Sequence, residues 1–152
     1  QYYLSFQPNS QKNGFEIKGD KVILSMREES TVKQRENYVR EQYRILLKAE
    51  IERLLPKWER LTELYCDSWQ TKYMLTRWGT CNTEKKKLWF NLQLAQKPIE
   101  CLEYVILHEL LHLKERTHNS VFISYMDLYM KDWRAVRKEL NDLRLDYYNT
   151  VE

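Results

Sequence analysis

Apolar residues recur at helical spacing along four stretches of the chain, which is the pattern of helices with a buried face. The first stretch begins after Ser30 or Thr31, either of which can cap a helix, and it runs to about Leu55. Pro56 is expected to end or bend this helix, because proline has no N–H to donate. The second stretch begins at Pro98, since the first helical position tolerates a missing N–H.

The stretch that begins at Pro98 continues through Leu113 without glycine or a second proline, and it is apolar on most of its sides. A helix of this kind lies inside a protein rather than on its surface. The last two helical patterns begin after Asn119 or Ser120 and after Asp132, all of which are good capping residues.

Shorter stretches near the amino terminus have the composition of β-strands. Phe15–Ile17 and Val22–Leu24 flank a turn at Lys18–Asp20. We therefore expect residues 1–29 to form a short hairpin region, in which residues 1–13 are a polar lead-in.

Two further strands are predicted ahead of the buried helix. Leu64–Leu75 and Leu88–Leu92 are rich in strand-forming residues, and the segment Arg77–Asn82 between them has the character of a turn. Two antiparallel strands here would form a small sheet with the helix packed on it. The sequence therefore predicts an α+β fold.

The composition fits one globular domain that spans residues 1–152, which is long enough for a substantial core. The 25 Lys and Arg residues barely outnumber the 22 Asp and Glu residues, so nucleic acid is not indicated as a partner. No apolar run reaches the roughly 18 residues of a membrane span. The three cysteines are scattered, which favours free thiols in a reducing compartment, and we expect a cytoplasmic protein. The oligomeric state is left open.

All three histidines of the chain lie in one run, His-Glu-Leu-Leu-His-Leu-Lys-Glu-Arg-Thr-His, at 108–118. On a helix, His108 and His112 would lie about 40° apart around the axis, so both imidazoles could face one metal ion. Catalytic zinc commonly takes three protein ligands and keeps a fourth position for water, on which Glu109 could act as general base. The alternative is that these histidines are hydrogen-bonded residues of the core.

His118 is the candidate for a third zinc ligand. On a continuous helix it would be rotated by about 600° from His112 and would point away from the site. The helix must therefore end near Leu113–Arg116, and the chain must turn back. Metzincins have the same ligand spacing and make this bend at a glycine, whereas Glu115 occupies that position here and adopts a left-handed conformation less readily. The alternative is that His118 is an ordinary loop residue.

Four segments of the chain, mostly in its second half, carry a family resemblance. They read RWGTCN at 77–82, LWFNLQL at 88–94, YVILHELLHLKERTHNSVF at 104–122 and MKDWRAVRKEL at 130–140. Together they resemble the YgjP-like family of metal-dependent hydrolases, which is related to SprT-like and other zincin metallopeptidases. Thr80 replaces the serine of the family pattern, and Thr117 and Asn119 flank His118, but the histidines are untouched. The amino-terminal part resembles the family weakly and looks shortened.

The resemblance implies that His108, His112 and His118 bind one zinc ion and that Glu109 is catalytic. It also implies a zincin-like fold, in which a small mixed β-sheet packs on an active-site helix and the carboxyl-terminal part is helical. Zincins generally bind peptide as an extended strand against a sheet edge, which Leu88–Leu92 could supply. A nucleoside triphosphate pyrophosphatase activity has also been assigned to this group, so a nucleotide is the alternative substrate. A third interpretation is a zinc-stabilised binding module without catalysis, although such a module has no need of Glu109.

Arg77, Trp78 and Asn91 are the candidates for contact with the substrate. The planar guanidinium of Arg77 suits a carboxylate or a phosphate, and a turn ahead of the helix could bring it near the metal. Packing in the core is the competing interpretation for Trp78. Lys85–Lys87 are most simply a solvated loop, although a triphosphate would need cationic groups of this kind.

Overall fold

Six strands and four α-helices make up the part of the chain that the computed structural model describes, which is residues 3–8, 14–18, 21–26 and 31–142. The chain divides into two compact units, residues 1–46 and residues 47–152. The predicted α+β class is confirmed, as is a small mixed sheet. That the whole chain is one domain stays a prediction.

The first unit contains a three-stranded sheet built from β1 (Tyr3–Pro8), β2 (Gly14–Lys18) and β3 (Lys21–Met26), in the order β1-β3-β2. β2 pairs with β3 in antiparallel orientation, with Ile17 opposite Val22, so the predicted hairpin is confirmed. Gly19 and Asp20 of the predicted turn lie outside the described residues.

The polar lead-in predicted for residues 1–13 is wrong for residues 3–8, which form β1. This strand pairs in parallel with β3, with Tyr3 opposite Lys21 and Pro8 opposite Met26. Its sequence, Tyr-Leu-Ser-Phe-Gln-Pro, contains aromatic residues that favour strands. Pro8 lies at the last position of the edge strand β1, a type of strand in which proline is tolerated.

Helix α1 (Val32–Thr62) begins with a reciprocal pair of capping hydrogen bonds. The Thr31 hydroxyl oxygen accepts from the Gln34 N–H at 3.1 Å, and the Gln34 side chain accepts from the Thr31 N–H at 2.9 Å. Of the two capping candidates, Thr31 therefore fills the role, and Ser30 lies outside the described residues.

The predicted end of this helix near Leu55 is wrong, because α1 continues through Pro56 to Thr62. Leu54, Leu55 and Trp58 are all buried on either side of the proline. Burial of such side chains is worth about 1.5–3 kcal/mol each, so the three together outweigh the roughly 3 kcal/mol cost of a proline inside a helix.

The second unit contains a three-stranded sheet of β4 (Ser68–Lys72), β5 (Gly79–Asn82) and β6 (Lys87–Asn91), in the order β4-β6-β5. β4 pairs with β6 in parallel, so the predicted antiparallel pairing of these two segments is wrong. The segment expected to be a turn supplies β5, which pairs with β6 in antiparallel orientation. The parallel pairing is possible because β5 lies between the two strands in sequence and returns the chain to the same direction.

Helix α2 (Ile99–Leu111) is the central element of the second unit, and ten of its 13 residues are buried. It follows a short 3₁₀ helix (Leu92–Gln96) and packs against β5, β6 and the two later helices, α3 (Ser120–Tyr129) and α4 (Trp133–Asp142). The prediction of a buried helix is confirmed. Its start differs by one residue, because Pro98 is the capping residue rather than the first helical residue.

The two carboxyl-terminal helices begin where the capping pattern predicts. Asn119 caps α3, and its side-chain oxygen accepts from the Phe122 N–H at 3.0 Å. α4 begins directly after Asp132, whose carbonyl accepts from the N–H groups of Ala135 and Val136. Among the described residues, no helix has both the length and the apolar character needed to cross a membrane.

Candidate metal centre

The end of α2 carries the three-histidine run. The last helical residue is Leu111, and His112 is the capping residue. The carbonyl of Leu111 accepts from the N–H groups of Lys114 and Glu115, which turns the chain immediately after the helix. The predicted turn is present, although the helix ends two residues before the interval Leu113–Arg116 in which it was expected.

The turn brings the three imidazoles together. The ring centroids of His108, His112 and His118 are 4.8 Å apart in every pair. The nitrogens that could act as ligands all lie within 4.8 Å of one another, and the Nε2 atoms of His112 and His118 are 3.1 Å apart. His108 and His112 are buried, whereas His118 is exposed and closes the cluster from the solvent side.

The donor atoms fit a metal ion. Two nitrogens bound to a tetrahedral zinc at about 2.0–2.1 Å would be roughly 3.3 Å apart, close to the separation of the His112 and His118 Nε2 atoms. The Nε2 atom of His108 is buried and has no hydrogen-bond partner. Since a buried unsatisfied polar atom is costly, an ion bound at this atom would remove that cost. Three neutral imidazoles suit zinc and neighbouring transition metals.

The second ring nitrogens of the two buried histidines also have neighbours. Nδ1 of His112 lies 3.1 Å from the carbonyl oxygen of Glu115, and Nδ1 of His108 lies 3.3 Å from Oε2 of Glu109. When Nδ1 donates its proton to such an oxygen, Nε2 keeps the lone pair that a metal ligand needs. The nitrogen left to act as ligand is then, in His112, the Nε2 that lies 3.1 Å from Nε2 of His118 and, in His108, the buried and unpartnered Nε2.

Glu115 bends the chain without a left-handed backbone. Among the described residues other than glycine, only Glu63 and Lys86 have positive φ. Instead, the Glu115 side chain accepts a hydrogen bond from Asn119 Nδ2 at 2.7 Å, while its carbonyl faces His112. Glu115 thereby links His112, at the end of α2, to the capping residue of α3. These contacts hold the bend that a glycine would otherwise make.

Phe122, a buried residue of α3, also belongs to this site, although it was not among the predicted site residues. Its ring centroid lies 5.1 Å from that of His108 and 4.9 Å from those of His112 and His118. The phenyl ring is buried and contacts the whole cluster. Its position four residues after His118, on the helix that follows, is the signal that could have identified it.

Glu109 is buried, with 6% of its surface exposed, and faces the first residue of β5, Gly79. Cys81 of the same strand lies within electrostatic range of this carboxylate. Burial raises the pKa of the Cys81 thiol to about 12, and the Glu109 carboxylate adds to the rise. Cys81 therefore remains a neutral thiol beside the glutamate at neutral pH.

The three substrate-contact candidates lie in different surroundings. Trp78 and Asn91 are buried, with 1% and 0% of their surfaces exposed, whereas Arg77 is exposed. Asn91 Nδ2 donates to the carbonyls of Met74 and Arg77, so it holds the loop between β4 and β5. In this conformation Trp78 and Asn91 are inaccessible to a substrate, whereas Arg77 is accessible.

The strand edge expected at Leu88–Leu92 is not an edge, because β6 is the central strand and pairs on both sides. β5 is an edge strand of this sheet, and it packs against α2. An open groove of about 590 Å³ runs along it, lined by Thr80, Cys81, Asn82, Thr83, Glu84 and Trp89. The extended backbone closest to Glu109 therefore belongs to β5.

Comparison with known proteins agrees with this architecture. The crystal structure of the metallopeptidase zymogen of Pyrococcus abyssi abylysin matches with a TM-score of 0.58 and 15% sequence identity, and covers 66% of this chain and 99% of that chain. At this identity the likeness shows the fold alone. No curated protein sequence matches the chain at a significant level.

The family comparison extends over most of the chain. The model described as "YgjP-like, metallopeptidase domain" matches residues 1–143. The match includes the amino-terminal sheet, so it reaches well beyond the segments on which the sequence resemblance rests. The chain therefore belongs to the YgjP-like metallopeptidase-domain family.

Proposed function

We propose that this protein is a zinc-dependent metallopeptidase in which His108, His112 and His118 hold the metal and Glu109 is the general base. The observation that carries the proposal is the convergence of three imidazoles, one of which has a buried and unpartnered Nε2 in His108, with a buried carboxylate beside them. The family model and the fold support hydrolysis of peptide bonds.

Zinc bound at these nitrogens would supply Lewis-acid chemistry, which polarises a carbonyl and lowers the pKa of water. The residues of the chain supply the proton transfer. Glu109 can accept a proton from the attacking water and deliver it to the leaving amine, provided that its carboxylate lies within hydrogen-bonding reach of both. Its place next to His108, with Oε2 at 3.3 Å from Nδ1, supports this role.

The edge strand β5 is the surface to which an extended peptide could add as a further strand. Backbone hydrogen bonds would then bind the peptide irrespective of its sequence, and the groove along β5 would receive alternate side chains. Because Gly79 at the start of β5 faces Glu109, a peptide in this position would pass close to the carboxylate.

A non-catalytic zinc module fits the site less well. A structural zinc site is usually closed by four protein ligands, whereas the cluster here contains three histidines. Glu109 is also a buried carboxylate, and because burial of a charge is costly, a purely structural site would have no reason to keep it. These features favour an open, catalytic site.

The test is cleavage of an unfolded protein by the zinc-loaded parent and by Glu109→Gln. Gln is close to Glu in shape but cannot take a proton, so we expect retained fold and zinc content with cleavage reduced by about 10²–10⁴-fold. Release of pyrophosphate from nucleoside triphosphates is measured in parallel, with Arg77→Ala as an additional variant.

Near-parent cleavage by Glu109→Gln would show that Glu109 is not the base. Pyrophosphate release that depends on both Glu109 and Arg77, without any peptide cleavage, would replace the metallopeptidase with the nucleotide hydrolase.

A further inference from the structure

The closest approach between α2 and the sheet occurs at Gly79. A Cβ atom built on this residue would lie 2.8 Å from Cγ1 of Val105, 3.1 Å from Cγ of Glu109 and 3.2 Å from Oε2 of Glu109. Carbon atoms in ordinary contact are about 3.5–4.0 Å apart, so a side chain here would force Val105 to shift and Glu109 to give by a few tenths of an ångström. The φ of Gly79 is not left-handed, so the requirement for glycine is one of space.

Neither side of this contact can move away easily. Gly79 is paired with Phe90, which has 0% of its surface exposed, and the carbonyl of the preceding Trp78 accepts from the Asn91 N–H at 2.9 Å. Val105 and Glu109 are one turn apart on α2 and are both buried. The strand and the helix are therefore each anchored in the core at the point where they meet.

The consequence concerns the position of the Glu109 carboxylate. Its Oε2 atom lies 3.3 Å from Nδ1 of His108 and would lie 3.2 Å from a Cβ atom at position 79. A side chain at position 79 would occupy part of the space that the carboxylate now fills. The carboxylate would have to turn away either from His108 or from the edge of β5.

We propose that Gly79 is a positioning residue for the general base: its missing side chain lets the Glu109 carboxylate lie between the edge strand and the histidine cluster. This inference rests on the proposed function and deepens it, since the same residue sets the distance between the peptide-binding edge and the base. No histidine atom is among the nearest neighbours of the added Cβ, so zinc binding is expected to persist, weakened only through the contact between Glu109 Oε2 and His108 Nδ1.

The test separates this role from simple packing by using Val105, which lies closest to the added atom. Gly79→Ala conflicts with both Val105 and Glu109, whereas Gly79→Ala/Val105→Ala removes the first conflict and keeps the second. Val105→Ala alone is the matched control, and Glu109→Gln defines the rate without a base. For each variant the measurements are zinc affinity by chelator competition, the melting temperature without metal, and kcat and KM on an unfolded protein.

We expect Gly79→Ala to melt at a lower temperature than the parent and the double variant to recover most of this loss. The double variant is expected to keep the parent KM and to lose at most about 10-fold in zinc affinity, through the altered contact behind His108. Its kcat is expected to stay roughly 10-fold lower, because a misplacement of about 1 Å can cost about 10²-fold and the carboxylate must give by a few tenths of an ångström. Val105→Ala is expected to keep the parent kcat.

Recovery of kcat together with melting temperature in the double variant would overturn the proposal, since Gly79 would then serve packing alone. A double variant that does not fold would overturn it for the same reason. If the parent shows no cleavage that depends on Glu109, the proposed function fails, and a crystal structure of the double variant decides the inference. Displacement of the Glu109 carboxylate from His108 by more than about 0.5 Å supports it, and an unmoved carboxylate overturns it.

Discussion

The three histidines differ in how firmly the chain holds them. His108 and His112 lie at the end of a buried helix, whereas His118 is exposed and comes from a loop. Yet the Nε2 atom of His118 lies 3.1 Å from that of His112, so the loop is arranged to complete the cluster. Two ligands are therefore set by the core, and the third depends on the loop that follows.

At the residue scale we expect His118→Ala to weaken zinc binding strongly. Loss of a residue that only supports a metal ligand costs roughly 10–100-fold in affinity, and loss of a ligand itself should cost more. The fold should remain intact, because His118 is exposed. The measurement is the zinc content after dialysis, together with a chelator competition titration. Arg116→Ala, an exposed change in the same loop, is the matched control. Zinc binding by His118→Ala as tight as that of the parent would mean that a third ligand lies elsewhere, with Glu115 as the first candidate.

The candidate ligands could be predicted from sequence because their geometry is local. The spacing of His108 and His112 alone places both imidazoles on one side of a helix. The surroundings of Glu109 could not be predicted in this way. The approach of Gly79 to Glu109 joins a strand and a helix that are far apart in sequence, and only the packing of α2 on β5 reveals it.

The loop between α2 and α3 acts as one structural element. Its first residues are held by the carbonyl of Leu111, and its last residue, Asn119, both caps α3 and donates to Glu115. The Glu115 carbonyl in turn faces Nδ1 of His112. The same hydrogen bonds that end one helix and begin the next therefore orient His112 and place His118.

At the element scale we expect Asn119→Ser and Asn119→Ala to differ from each other in stability but to share the same zinc affinity. Serine keeps an oxygen that can accept from the Phe122 N–H, so only the alanine variant loses the cap, at a cost of about 1 kcal/mol. Both variants lose the donor to Glu115, and both should bind zinc more weakly than the parent. Denaturant unfolding of the metal-free proteins and chelator competition measure the two effects. Parent-like zinc affinity in Asn119→Ser would show that the bond to Glu115 does not orient the loop.

The elements that depend on contacts between residues close in sequence were predicted correctly, and those that depend on distant contacts were not. The caps at Thr31 and Asn119 were predictable because each side chain bonds to backbone only three residues away. The direction of β4 relative to β6 was not predictable, because it depends on the path of the segment between the two strands. The continuation of α1 through Pro56 depends on burial of its neighbours, which local propensity does not contain.

At the scale of the whole molecule, the candidate metal centre lies entirely within the unit of residues 47–152. Its ligands come from the end of the central helix and from the loop that leads to α3. An ion bound there would hold the end of α2 and the following loop together, so the two could separate on unfolding only after the ion was released. Metal binding would therefore stabilise this unit as it forms the site.

We expect zinc to raise the melting temperature of the protein. Free zinc at 1,000 times the dissociation constant stabilises a folded state by about 4 kcal/mol, which for a chain of this size corresponds to a rise of about 8–16 °C. Calorimetry with and without a chelator measures the shift, and His112→Ala, which removes a buried ligand candidate, should show little of it.

The number of transitions tests whether the chain is one domain. One transition that moves as a whole would agree with a single cooperative domain over residues 1–152. Two transitions, of which only one responds to zinc, would show that residues 1–46 and 47–152 unfold separately. A melting temperature that zinc does not change would contradict the metal centre itself, because binding to the folded state must stabilise that state.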